Sequence, residues 1–210
     1  KTLLPHIEQK LFALSTQIYN TRKGIRNQFK TFWGRSTATA VQSSGEYTHA
    51  SPESQIRLAA DLAMMCRDYE SALANYKLVH NDYKSQNAWK ALACTYESMA
   101  HAHLLSKAPS SNHLKSDIDQ AYENALSTLA KYEASGSGDL HKQVCLMLKT
   151  RAAVGHAQAL NAIGAHRDAN LPLVRASAMD DSDIRAALLL EHAAFSFIQC
   201  TPPMHRKFAS

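Results

Sequence analysis

Apolar residues recur at helical spacing along the first 33 residues of the chain. Leu4, Leu11, Ile18, Ile25 and Phe32 follow one another at seven-residue intervals. The positions that fill the same side between them are also apolar, namely Leu3, Ile7, Leu14 and Phe29. Such a stripe is typical of an amphipathic helix. Gly24 weakens it, so we predict two helices, over residues 2–21 and 24–33.

The pattern then disappears over residues 34–52 and returns with a regular helical period. The polar stretch is rich in Ser and Thr, which indicates a flexible linker. Ser51-Pro52-Glu53 is a typical helix start, with a capping hydroxyl, proline and an acid in sequence. Gly and Pro are scarce, at 7 and 6 of 210 residues, so helices are favoured throughout. We predict helix pairs over 53–66 and 69–83, 86–106 and 115–133, and 139–163 and 166–178, with 182–199 opening another pair.

A weak internal repeat runs through these pairs. Ala72, Ala121 and Ala169 stand in similar contexts at intervals of 49 and 48 residues. A small residue there lets a neighbouring helix approach closely, as in tetratricopeptide units. We therefore predict an all-α fold, an α-solenoid of stacked helix pairs preceded by an amphipathic helix. The expected domains are an amphipathic segment (1–33), the linker (34–52) and a solenoid (53–210) that continues beyond this chain, which we expect to be an internal fragment.

Charge adds a local feature to this scaffold. The chain has 23 Lys and Arg against 18 Asp and Glu, a net charge of +5. Between positions 22 and 35 there is no acidic residue, and five basic residues account for the whole excess: Arg22, Lys23, Arg26, Lys30 and Arg35. A local basic cluster indicates an anionic surface as partner, whereas an even spread would indicate only solubility.

The same segment is aromatic. At helical spacing, Ile25, Phe29, Phe32 and Trp33 fall within an arc of about 100° beside the cations. This suits a helix lying in the plane of an anionic membrane. Nucleic acid is not expected as a partner, because the rest of the chain carries no second basic face. We predict a membrane-binding set of Arg22, Lys23, Ile25, Arg26, Phe29, Lys30, Phe32, Trp33 and Arg35.

A second interpretation of this segment stays open. Its apolar stripe continues that of residues 3–18, and apolar stripes on helices most often pack into a core. In that case residues 22–35 would pack on the solenoid or on a partner subunit, and the chain would be a soluble repeat module whose groove captures a peptide or partner helix.

No pattern for catalysis, metal binding or cofactor binding is found. The eleven histidines lack the i, i+3 or i, i+4 pairs that a helical metal site needs. Gly136-Ser137-Gly138 lacks the lysine and hydroxyl of a phosphate-binding loop. No nucleophile, base and orienting group occur together, so we predict no enzyme activity, no metal and no cofactor. Four widely spaced cysteines and the absence of a long apolar run indicate a cytosolic protein whose membrane contact is peripheral.

Several motifs resemble the family of subunit 8 of the TRAPP (transport protein particle) complex, the subunit specific to the third form of that complex. They are Arg-Lys-Gly at 22–24 with Phe-Trp-Gly at 32–34, the solenoid entry Ser-Pro-Glu-Ser-Gln-Ile-Arg at 51–57, and two C-terminal runs at 183–194 and 203–209.

The resemblance implies a scaffold subunit of a Rab guanine nucleotide exchange complex in ER-to-Golgi traffic and autophagy. Exchange chemistry would belong to other, small subunits. The implied partners are other TRAPP subunits, a Rab GTPase reached only through the complex, and an anionic membrane surface. The implied location is the cytoplasm, with peripheral association to Golgi, ER-Golgi intermediate and autophagic membranes.

Overall fold

A computed structural model of the chain describes residues 3–32, 47–106 and 113–198, with backbone alone for 21–32. All secondary-structure elements of these residues are helices: α1 (Leu3–Phe32), α2 (Pro52–Met65), α3 (Tyr69–Ser85), α4 (Trp89–Ser106), α5 (Leu114–Ala134), α6 (Asp139–Ala162), α7 (His166–Ser177) and α8 (Asp183–Ile198). The seven helices predicted after the linker are confirmed, with bounds that differ by a few residues at most.

The chain divides into two compact units, Lys1–Ala88 and Trp89–Ser210. In the first, α2 packs on α1 and on α3. In the second, α4 packs on α5, α5 on α6, α6 on α7, and α7 on α8. Each helix therefore buries its apolar side mainly against its neighbours in the sequence, which is the packing of a helical repeat. This confirms the predicted all-α solenoid class; the predicted domain boundaries remain a prediction.

The turns that follow α2, α3 and α6 have the same backbone geometry. Arg67, Asn87 and Gly164 each have a positive φ, of 61°, 56° and 79°, directly after the C-cap of a helix. In the first of these turns, the Arg67 amide donates to the carbonyl of Met64 and the Asp68 amide to that of Ala63. This pair of bonds satisfies the last carbonyls of a helix and reverses the chain within three residues. Because Asn87 forms such a turn, α4 begins at Trp89 and not at the predicted residue 86.

Local capping explains two of the helix starts. The Ser54 amide donates to the Ser51 hydroxyl at 3.2 Å, and Pro52 occupies the first turn of α2. The Ser71 amide donates to an Asp68 carboxylate oxygen at 3.1 Å at the start of α3. These bonds satisfy amides that have no partner within the helix.

The core of the second unit consists of two clusters that share α6. One joins α4, α5 and α6 around Tyr122 and Ile118, and the other joins α6, α7 and α8 around Leu160 and Leu173. Alanines make up much of both clusters, so the helices approach closely. The three alanines of the predicted repeat are buried, each on the second helix of its pair: Ala72, Ala121 and Ala169.

Helix α1 corrects one prediction. Its 30 residues run without interruption through Gly24, so the predicted division into two helices is wrong. A glycine inside a helix costs about 1 kcal/mol relative to alanine, which weakens a helix without ending it.

Candidate functional site

The predicted membrane-binding segment lies on the second half of α1 and beyond it. The backbone of residues 22–32 is helical. Side chains of these residues are outside the described part of the chain, and so are Trp33 and Arg35. The membrane-binding set therefore stays a prediction.

The first half of the same apolar stripe packs inward. Ile7 is buried at 9% exposure, and Leu11, Leu14 and Ile18 are half-buried, on a helix that packs against α2. An open groove of about 470 Å³ lies beside this contact. It is lined by α1, by the α2–α3 turn and by the start of α3, and its lining includes Glu8, Leu11, Phe12, Cys66, Asp68 and Asn75.

A polar cluster crosses the packed helices of the second unit. The Tyr122 ring on α5 stacks on the His156 ring of α6, with centroids 4.8 Å apart and planes 14° apart. The Tyr122 hydroxyl lies 3.2 Å from His101 Nε2 on α4. His156 Nε2 in turn lies 2.8 Å from Asp119 Oδ1. Tyr122 is fully buried and His156 is 7% exposed, whereas His101 is exposed, so these contacts join three helices from the core to the surface.

Gly155 makes room for this cluster. A Cβ at this position would lie 2.9 Å from the Tyr122 hydroxyl and 3.4 Å from Tyr122 Cε1. A glycine in the middle of α6 therefore allows the phenol to sit against the helix backbone. Burial raises the pKa of Tyr122, and the carboxylate of Glu97 adds to that rise while Arg151 opposes it.

Three further polar contacts each join a helix to the one two places along. Arg151 Nη2 on α6 donates to Glu97 Oε1 on α4 at 2.9 Å, and its Nε donates to the other oxygen at 3.1 Å. Lys115 on α5 pairs with Asp168 on α7 at 3.2 Å. On the last helices, the Asn161 side chain of α6 donates to the Ser196 hydroxyl of α8 at 2.9 Å. We call these contacts the cross-helix ties.

The chemistry of these groups is that of structural contacts. The hydrogen bond to the carboxylate of Glu97 raises the pKa of Arg151, which fixes the guanidinium in its charged form. Burial raises the pKa of the Cys145 thiol on α6, which makes it a poor nucleophile. Across residues 3–32, 47–106 and 113–198, no three His, Cys, Asp or Glu side chains are grouped so that they could hold a metal ion.

Helix α8 is apolar on its packed face and also on an exposed face. Leu189, Ala193 and Ser196 are buried. On the opposite face, Ile184 is 75% exposed, and Leu188 and Phe195 are 58% and 59% exposed. Even so, no helix within the described ranges is long and apolar enough to cross a membrane.

Comparison with known proteins identifies the family of this chain. Residues 1–164 match the family described as the ER-Golgi trafficking TRAPP I complex 85 kDa subunit. The chain belongs to this TRAPP subunit family. The family resemblance seen in the motifs is thereby confirmed.

A human relative of this TRAPP subunit is trafficking protein particle complex subunit 8. It is 30% identical over 220 residues, an alignment that covers 99% of this chain. The chain spans only 14% of the length of that relative. No solved structure is significantly similar to the chain.

Sequence patterns did not reveal the polar cluster. The histidines were noted only for lacking metal-site spacing, yet His101 contacts the hydroxyl of the buried Tyr122 and His156 stacks on its ring. Gly155 was the available signal, because a glycine within an alanine-rich helix often marks a close approach. The cross-helix ties join residues more than 30 positions apart, as with Glu97 and Arg151, and helical periodicity carries no information on such pairs.

Proposed function

We propose that this chain is part of a non-catalytic scaffold subunit of a TRAPP-type Rab guanine nucleotide exchange complex, acting in ER-to-Golgi traffic and autophagy. Its partners are other TRAPP subunits, and a Rab GTPase is reached only through the complex. The basic, aromatic segment 22–35 aids attachment to Golgi, ER-Golgi intermediate and autophagic membranes from the cytoplasm. Family membership of a stacked-helix chain is the observation that carries this proposal.

The internal chemistry of the chain supports a scaffold role. Polar side chains of the second unit bond to one another across helices, the buried Tyr122 to His101 and the buried Glu97 to Arg151. A catalytic group needs a side chain that is free to meet a substrate in a cleft. Paired groups within a helix stack instead fix the relative positions of the helices, which is what a scaffold requires.

The length of α1 separates the basic segment from the packed part of the helix. With 30 residues α1 is about 45 Å long, whereas α2, the helix it packs on, has 14 residues and a length of about 21 Å. Among the described side chains of α1, the buried and half-buried apolar ones run from Ile7 to Ile18, in its first half.

Membrane affinity of the segment is expected to be modest. Transfer of four large apolar side chains from water contributes roughly 6 to 10 kcal/mol before ordering costs. Each nearby cation contributes about 1 kcal/mol at an anionic surface. The segment therefore suits reversible attachment of a complex that other contacts also hold in place.

Vesicle flotation tests the membrane role. The full-length subunit, assembled in its complex, is floated with anionic and with neutral vesicles. A triple variant with Phe29, Phe32 and Trp33 changed to Ser is expected to lose most binding to anionic vesicles, because both the apolar area and its position next to the cations are lost.

The matched control changes three exposed apolar residues in the first half of the same helix: Leu3, Leu4 and Phe12. This control is expected to float like the wild type. If the two triple variants bind equally well, the membrane role is wrong while the scaffold role is unaffected.

A second candidate function is supported by the groove between α1 and the α2–α3 turn. Its lining combines the exposed ring of Phe12 with the carboxylates of Glu8 and Asp68, which favours a basic amphipathic peptide or helix. In this case segment 22–35 would pack on the solenoid.

Tryptophan fluorescence distinguishes the two functions. The chain has two tryptophans, so Trp89→Phe leaves Trp33 as the single emitter. Membrane insertion predicts that anionic vesicles of brominated lipids quench Trp33. A Trp33 that is quenched neither by these vesicles nor by acrylamide would favour the packed, peptide-binding alternative.

A further inference from the structure

Helix α8 carries a second apolar face that faces away from its packed side. Ile184, Leu188 and Phe195 are all more than half exposed. At 100° per residue these positions fall within about 40° of one another around the helix axis. They form a single stripe, which we call the outer α8 face.

One carboxylate borders this stripe. Glu191 is exposed and lies, by helical spacing, about 20° beyond Ile184 around the helix axis and one turn from both Leu188 and Phe195 along it. Near the start of the helix, Arg185 is bound to Asp180 at 2.8 Å. The outer α8 face is thus apolar with one negative charge at its edge.

The packing of the described helices leaves this face exposed. Helices α5, α6 and α7 each pack on a helix at either side, whereas α8 packs on α7 through Leu189 and Ala193. In a helical repeat, an apolar face of this kind is where the following helix packs. The outer α8 face is therefore the next position at which a helix would pack in the series from α4 to α8.

We propose that the outer α8 face is a docking surface for an amphipathic α-helix from another part of the same full-length polypeptide. That helix would present apolar side chains to Ile184, Leu188 and Phe195, and a Lys or Arg to Glu191. A docked helix would partly cover a carboxylate at the edge of this face, and a cation opposite it would offset the cost, so the charge favours a basic position on the incoming helix.

A helix of the same polypeptide fits better than a separate chain. The human relative is far longer, since this chain spans 14% of its length. A tethered helix binds without the translational entropy cost that a separate chain would pay, so a face with three large anchors is enough to hold it.

Hydroxyl-radical footprinting of the full-length subunit tests the proposal. Oxidation of Phe195 is compared between the native subunit alone, the native complex and the denatured subunit. If a helix of the same polypeptide covers Phe195, we expect oxidation on the order of ten times slower in the native subunit alone than in the denatured one, because a covered ring offers no accessible area.

Two outcomes would overturn the proposal. Rapid oxidation of Phe195 in both native samples would mean that nothing docks on this face. Protection that appears only in the complex would assign the face to a partner subunit instead.

Variants of the same subunit test the contact itself. Leu188→Asp is expected to restore rapid oxidation of Phe195, and Glu191→Lys to restore it in part by repelling the basic side chain. Leu140→Asp changes a residue of α6 that is 75% exposed and is the matched control; it is expected to leave Phe195 protected. If Leu188→Asp and Glu191→Lys both leave Phe195 protected, the proposed contact is wrong.

Discussion

The interior of the α4–α6 stack and the outer face of α8 show opposite uses of similar helices. Between α4 and α6, polar side chains such as Tyr122, His156 and Glu97 are buried, and each is bonded to a side chain of another helix, namely His101, Asp119 and Arg151. On α8, large apolar side chains such as Phe195 are exposed. The polar side chains have hydrogen-bond partners within the chain, whereas the apolar side chains on α8 leave water only when another surface covers them. The difference separates residues that hold this part of the molecule together from residues available for contacts.

The largest expected effect is that of Tyr122→Ala. Removing a fully buried ring leaves a cavity and should lower the free energy of unfolding by about 3–5 kcal/mol. Phe195→Ala in the same chain should change it by no more than about 0.5 kcal/mol, since the ring is exposed. Denaturant unfolding of the purified chain measures both. Equal losses for the two variants would remove the distinction between the two regions.

A smaller loss is expected for Arg151→Met. This change leaves the buried carboxylate of Glu97 without its bidentate partner, at a cost of about 1–3 kcal/mol. The lower end is expected, because the Arg151 side chain is half exposed and water screens the pair. Adding Glu97→Met removes the orphan charge and should recover stability. A double variant less stable than Arg151→Met would contradict this account of the tie.

The third prediction uses alkaline pH. Burial raises the pKa of Tyr122 above its usual value, so the folded chain holds this proton more tightly than the unfolded chain does. The contribution of Tyr122 is complete below pH about 10 and falls as the pH rises beyond that value. Tyr122→Phe should cost about 1 kcal/mol at neutral pH through the lost bond to His101, yet lose less stability above pH 10 than the wild type. If the free energy of unfolding falls equally with pH in the wild type and in Tyr122→Phe, Tyr122 does not cause the loss of stability at alkaline pH.

The smallest effect is expected at the start of α8. The hydrogen bond from Arg185 lowers the pKa of Asp180, and the Ser182 amide adds to this. The stability from this carboxylate is present above the ordinary pKa of Asp and is lost as the pH falls through the lowered value. Asp180→Asn should speed amide exchange in the first turn of α8 at neutral pH. In acid the variant should converge with the wild type, and a constant difference down to low pH would be inconsistent with the assignment.

Helix positions were accessible from sequence because their signals are local. Ser51 and Asp68 are residue types that typically cap the start of a helix, and Gly164 is of the type that typically follows a helix end. The two-helix division at Gly24 failed because the cost of one glycine is small beside the gain from a long helix. Arg67 was no turn signal either, since a residue of that type takes a positive φ only where the surrounding helices demand it.

Candidate sites were accessible only in part. A local cluster such as Arg22 to Arg35 can be found by counting charges. Contacts such as that between Asn161 and Ser196 depend on how helices two places apart are aligned, and no local pattern sets that alignment. The outer α8 face lay between these cases: its apolar spacing was visible, but which side of α8 is packed required the structure.

The cross-helix ties have a mechanical consequence. An array in which each helix contacts only its neighbours extends easily under force, because each interface can slide independently of the others. Here the bridges from α4 to α6, α5 to α7 and α6 to α8 overlap, so sliding at one interface strains the bridge that spans it. Under tension the helices from α4 to α8 are therefore expected to yield together and not one interface at a time.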